Sequence, residues 1–221
     1  MATLKAPTGK DWPEGMSPRY KLFRQVVLFL GRILLGLRLH GEDRTPRQGP
    51  LVLAANHTRY LDPVFVCMAA PRRVQWMAKK EIFIPGLRRF FSLLGAFPVD
   101  REAGGRSALR NAMKLLSEGW ALGIFPEGTH KKTEKTRDAK SGVSLLAVRG
   151  GARITPIHLG KVPTPLGRFR GERLHIHVGD PLIIHDTVKG RRAYKALAEE
   201  VLTTIYSLPG KGLENEERAE R

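Results

Sequence analysis

The sequence is poor in cysteine: of 221 residues, only Cys67 carries a thiol. That excludes an internal disulfide and cysteine-based zinc spacing, and it fits a reducing compartment. Aromatic residues make up only 7%. With no recognition-helix or base-stacking strand signature either, nucleic acid is disfavoured as a partner. The absence of a G-x-S-x-G elbow disfavours a serine hydrolase. The absence of G-x-x-x-x-G-K-[ST] disfavours nucleotide hydrolysis. No secretory signal opens the chain, because residues 1–17 are polar, contain Pro and Gly and lack an early apolar core. Acidic residues are outnumbered, 21 against 38 Lys and Arg, for a formal net charge of +17. Such an excess asks for an anionic counterpart: nucleic acid, anionic lipid or a phosphorylated substrate. A long uncharged apolar run is missing too. YKLFRQVVLFLGRILLGLRL, residues 20–39, carries Lys21, Arg24, Arg32 and Arg38, whereas a spanning helix needs roughly 20 apolar residues with few charges.

What is present is enough apolar material, 42%, to bury the core of one domain. A polar segment over 1–17 precedes an amphipathic helix expected over 18–39. At about 100° per residue its four cations fall within an arc of roughly 120°, which Leu28 and Leu35 interrupt. A basic side beside a wide apolar side suits a helix lying in the interface of an anionic membrane. A polar linker, 40–49, leads to the main domain, 50–210, and a charged tail closes the chain over 211–221.

Within the domain, apolar runs at 50–56, 74–78, 95–100, 121–125, 153–160 and 172–181 read as strands. Residues 60–70, 81–95 (broken near Pro85 and Gly86), part of 101–120 from about Arg106, 141–151 and 189–210 read as helices. Alternation of this kind predicts an α/β fold, a largely parallel mixed sheet flanked by helices. In such sheets ligands bind at the carboxyl ends of strands. Three polar turns, at Asn56-His57, Asp100-Arg101 and Glu127-Gly128-Thr129, follow strands and so share that edge.

Each turn has chemistry to offer. His57 is followed five residues later by Asp62. On one continuous helix the two would point apart. With His57 in the turn before the helix, Asp62 can fold back onto it and fix the ring tautomer, which makes a general base; the alternative is a structural pair. Arg101 can meet an anion bidentately or form a surface ion pair with Asp100. Gly128 permits a tight turn whose amides, with the Thr129 hydroxyl, suit phosphate oxygens; an ordinary turn needs the same glycine. Cys67 sits in the apolar run VFVCMAA and reads as core rather than nucleophile. His175 and His177 share one face of a strand, but with no third ligand in view they read as a solvated face rather than a metal site. The loop KKTEKTRDAK, 131–140, is either solvated or a surface for anionic lipid or another acidic partner.

NHTRYLD, GAFPVDR, FPEGTH and ITPIHLG, in this order and spanning residues 56–160, resemble the four blocks of the glycerolipid acyltransferase family, which includes the bacterial 1-acyl-glycerol-3-phosphate acyltransferases. The resemblance implies transfer of a fatty acyl group from acyl-CoA or acyl carrier protein to a lysophospholipid hydroxyl, with phosphatidic acid as product when the acceptor is 1-acyl-glycerol-3-phosphate. By motif position, His57 would be the base and Asp62 its orienting acid. Arg101, Glu127, Gly128 and Thr129 would bind the acceptor phosphate, with Asn56 and Arg59 beside them. Pro156 would shape the acyl-donor side. No metal and no cofactor are implied; the acyl thioester is a substrate. The expected location is the cytoplasmic face of the cell membrane, peripheral or monotopic. Arg59 departs from the pattern, standing where the family usually has a small hydroxyl residue, and His130 stands where it often has Arg; both bear on which headgroup is accepted. The competing readings are a basic membrane- or nucleic-acid-binding protein without catalysis, and an acyltransferase for a different lipid acceptor.

Overall fold

A computed structural model describes residues 16–99, 106–128, 139–184 and 188–219. The chain forms α1 (Pro18–Leu34), β1 (Arg38–His40), β2 (Leu51–Ala55), α2 (Asp62–Ala69), β3 (Val74–Lys79), α3 (Arg88–Leu93), β4 (Ala96–Val99), α4 (Arg106–Ser117), β5 (Ala121–Ile124), α5 (Gly142–Arg149), β6 (Arg153–Leu159), α6 (Pro165–Phe169), β7 (His175–Val178) and α7 (Arg191–Ala219). Short 3-10 turns occupy Glu42–Arg44 and Lys80–Ile82.

Among the described residues, seven strands make one sheet in the order β1-β7-β6-β2-β5-β3-β4. Every pairing is parallel except β6 with β7, so the expected mixed, largely parallel α/β fold is what forms. β2 is buried along its whole length because apolar layers cover both faces, the reason LVLAA shows no alternation. Leu51, Leu53 and Ala55 face a core shared with α1, α2 and α3. Val52 and Ala54 face one built with α4, α5 and α7.

Some boundaries differ from the expectation. The helix expected over 18–39 stops at Leu34. Residues 38–40 pair instead with β7 as an edge strand, in the register Arg38↔His175 and His40↔His177. The sheet therefore begins ahead of the expected linker, which itself holds a 3-10 turn. At the other end α7 continues to Ala219, through Pro209 and most of the expected tail. The helix at Pro165–Phe169 was not foreseen.

On α1, the Ser17 hydroxyl accepts from the Tyr20 amide and Pro18 opens the first turn, a standard start for a helix. Arg24, expected on the membrane-facing basic side, turns inward: its guanidinium donates to the carbonyls of Cys67 (3.3 Å) and Met68 (2.9 Å). It thus satisfies the carboxyl end of α2, where a cation is favoured. The outward side is a stripe of Leu22, Val26, Phe29, Leu30 and Ile33, with Phe29 62% exposed. No described helix is long and apolar enough to cross a membrane.

Candidate active site

β2 and β5 are neighbours in the sheet, yet their following segments leave on opposite sides. The chain goes from β2 to α2 in one core layer and from β5 to α5 in the other. Adjacent strands whose connections diverge open a crevice at their carboxyl ends, the usual ligand position in an open α/β sheet. His57 lies on one lip and the turn Phe125–Gly128 on the other.

His57 Nδ1 donates to Asp62 Oδ2 at 2.9 Å. The same oxygen accepts the backbone amides of Thr58 (2.6 Å) and Arg59 (2.7 Å). Asp62 opens α2, with Pro63 next in its first turn, so the loop 57–61 is folded around one carboxylate that is fully buried, while the His57 side chain is 15% exposed. With its proton on Nδ1, the ring keeps its basic lone pair on Nε2. The imidazole stacks on Phe125 (centroids 4.0 Å, planes 13° apart), and Phe125 stacks on Trp76 (5.2 Å, 20°). Trp76 lies across Gly123, where a Cβ would come within 2.4 Å of the indole. Glycine in the middle of β5 is therefore what lets the stack reach the histidine.

The other expected site residues fall out differently. Asn56 is 3% exposed and clamps β2 to β6. Its amide donates to the Leu159 carbonyl (3.0 Å) and its oxygen accepts the Leu159 amide (2.7 Å). It holds the end of β2, directly ahead of His57. Glu127, 5% exposed, accepts from the Tyr206 hydroxyl at 2.7 Å and so ties the turn to α7. The amide of Gly128 donates to the Phe125 carbonyl (2.9 Å), closing a turn that holds Gly128 at φ +80°. That amide is thus used within the turn. Arg59 is half-buried and its guanidinium donates to the Thr58 hydroxyl (3.0 Å). Pro156 lies on β6 in register with Ala54, which faces the core built with α4, α5 and α7. Arg101, Thr129, His130 and residues 131–138 of the charged loop lie outside the described residues. Tyr206, Phe125 and Trp76 were missed, since only three-dimensional packing brings them to the site.

Cys67 is buried in the core beneath α1, and burial pushes its thiol up to about 11, the reverse of an activated nucleophile. The reading of His175 and His177 as lacking a third ligand is corrected: pairing of β1 with β7 brings His40 to them. Burial first, then His40, His158 and His175, pushes His177 down to about 4.

Fold and crevice together define an α/β domain with a histidine–carboxylate pair at its sheet's carboxyl edge. The chain belongs to the Acyltransferase family, whose model matches residues 36–160 and so takes in β1 as well as the site. It is 30% identical over 165 residues to the 1-acyl-sn-glycerol-3-phosphate acyltransferase of Bacillus subtilis, covering 74% of this chain and 82% of that one. To the protein of the same name from Streptococcus pneumoniae it is 33% identical over 171 residues, 74% of this chain and 62% of the relative. The crystal structure of the 1-acyl-sn-glycerophosphate acyltransferase PlsC from Thermotoga maritima shares the fold, with a TM-score of 0.66, 19% identity, and coverage of 86% and 81% of the two chains.

Proposed function

We propose that the protein transfers a fatty acyl group from a thioester, acyl-CoA or acyl carrier protein, to the free hydroxyl of 1-acyl-glycerol-3-phosphate, forming phosphatidic acid. The observation that carries this reading is the buried Asp62 carboxylate fixing the His57 tautomer at 2.9 Å at the lip of the crevice. His57 Nε2 takes the hydroxyl proton as the oxygen attacks the thioester carbonyl. The C–O bond forms, the C–S bond breaks, and the proton passes to the departing thiolate. Base and acceptor are held together, so much of the gain is positional. Arg101 is assigned to the acceptor phosphate by its place in the motif, with Thr129 and Arg59 as further contacts. The chemistry needs no cofactor beyond the thioester substrate.

Catalysis takes place on an anionic membrane at its cytoplasmic face. The apolar stripe of α1 supports this, together with exposed Ile82, Ile84, Leu87 and Phe90, which adjoin α1 through the Phe23–Phe90 contact (6.2 Å). Lys79, Lys80, Arg88 and Arg89 interleave with this patch, the mix of apolar and basic groups that interfacial binding uses.

The test is acyl transfer from labelled acyl-CoA and acyl carrier protein to 1-acyl-glycerol-3-phosphate by wild type and His57→Ala, with lysophosphatidylcholine as the control acceptor. The expected result is transfer by wild type, preference for the phosphate acceptor, and loss of about a thousandfold or more in the folded variant. Equal rates for the two proteins would overturn the mechanism. Preference for the control acceptor would overturn the substrate assignment.

A further inference from the structure

His40, His175 and His177 each present a ring nitrogen, and the three nitrogens lie within 4.8 Å of one another. They belong to two strands that the sequence separates by more than a hundred residues, and parallel pairing sets His40 directly opposite His177. His40 Nε2 and His175 Nδ1 already stand 3.0 Å apart. The rings are stacked with nearly parallel planes, 8° between His40 and His177 and 10° between His40 and His175. His158, opposite His177 on β6, completes a group that gathers four of the chain's seven histidines. All three nitrogen-bearing rings are half-buried, and they sit on the sheet edge, on other strands than the ones that carry His57 and the Phe125 turn.

We propose that His40, His175 and His177 bind a divalent transition-metal ion of the zinc type, fastening the edge strand β1 to β7. Zinc takes imidazole nitrogens at roughly 2.0–2.1 Å in tetrahedral array, which sets neighbouring ligands about 3.4 Å apart. The His40–His175 pair is already near that spacing, and side-chain rotation of the third ring closes the remainder. Three imidazoles leave the fourth position to water, and a set of nitrogen ligands without a carboxylate selects borderline transition ions over magnesium or calcium. The ion would act mechanically. β1 is three residues long and follows the interfacial helix α1 after a short turn, so clamping β1 anchors the base of that helix to the sheet.

Untagged full-length chain, stripped with chelator, is titrated with Zn²⁺ by calorimetry and with Co²⁺ by visible absorption, alongside His40→Ala, His175→Gln and His57→Ala. The expected result is one saturable ion per chain, a cobalt spectrum of tetrahedral intensity, and a rise in Tm with Zn²⁺ but not with Mg²⁺. His40→Ala and His175→Gln should each weaken binding at least as much as loss of an outer-shell partner does, about 10–100-fold, while His57→Ala binds like wild type. Circular dichroism of the two variants establishes that they fold. Absence of saturable uptake by wild type, or uptake unchanged in folded His40→Ala and His175→Gln, overturns the site. The readouts are metal uptake and Tm, so the result is independent of whether the acyl-transfer reading holds.

Discussion

Asp62 Oδ2 gathers three N–H donors, from His57 and from the Thr58 and Arg59 amides, all within 2.9 Å. A carboxylate does this well because it only accepts. The amide of Asp62→Asn can supply one oxygen, but its NH₂ would donate toward the histidine and favour the opposite tautomer. On the general-base reading, Asp62→Asn lowers kcat by about a hundredfold or more with KM little changed. His57→Ala costs at least as much, and the double variant is no worse than the more impaired single one, because the pair acts as a unit. Steady-state transfer rates check this; additive losses would mean that Asp62 does something other than hold His57. Cys67 provides a second test at this scale. With burial holding its thiol up near 11, native protein should resist iodoacetamide at neutral pH, and labelling should rise only with unfolding in denaturant. Rapid labelling of native protein would contradict the packing under α1. His57 and Asp62 were legible from the sequence because their partnership is local, five residues apart around a turn. The contacts of Asn56, Glu127 and Gly128, which go to Leu159, Tyr206 and Phe125, were not legible. Those partners are set by strand pairing and helix packing, which a linear motif does not contain.

Among the elements, β5 shows how a strand can be shaped for a side chain on its neighbour. β3 pairs with β5 in the register Trp76↔Gly123, and the indole covers the position where a Cβ would stand. In Gly123→Ala the methyl meets the ring at 2.4 Å, and neither backbone can yield easily in a buried sheet. The expected cost is about 1–3 kcal/mol of stability. Activity should fall further than stability explains, since displaced Trp76 carries Phe125 and His57 with it. Thermal unfolding and acyl transfer on the same preparations check this. Full activity in a variant with lowered Tm would show that the stack does not position the base. Strands such as β2 and β6, with apolar runs bounded by turn residues, were readable from the sequence, as were α4 and α5 from their periodicity and the glycine stop at Gly150. β1 was not, because Arg38 and Leu39 end the expected helix and His40 opens the expected linker, and the three become a strand only by pairing with β7. The same omission hid His40 from its two partner histidines.

At the scale of the molecule, charge and exposed apolar surface act together. Strand composition and the turns implied a mostly parallel sheet, but not its order; that β5 inserts between β2 and β3, which creates the crevice, depends on long-range packing. The excess of +17 was visible at once, though its counterpart was not. If the counterpart is an anionic bilayer, association has two separable parts. Each basic group near the surface contributes about 1 kcal/mol in a field that salt screens within roughly 10 Å at 0.1 M and about 3 Å at 1 M. The apolar stripe of α1 contributes in proportion to the area it buries, with little dependence on salt. Sedimentation with phosphatidylglycerol vesicles should therefore fall by about tenfold or more between roughly 0.05 and 0.5 M salt, leaving a residue that also binds phosphatidylcholine vesicles. Phe29→Ser with Ile33→Ser, both residues more than half exposed, should lower binding by about tenfold or more at every salt concentration while leaving the salt slope in place. Binding indifferent to both salt and lipid charge would reject the membrane as the partner of the basic surface. Binding indifferent to the Phe29 and Ile33 changes would move the docking face from α1 to the segment carrying Ile84, Leu87 and Phe90.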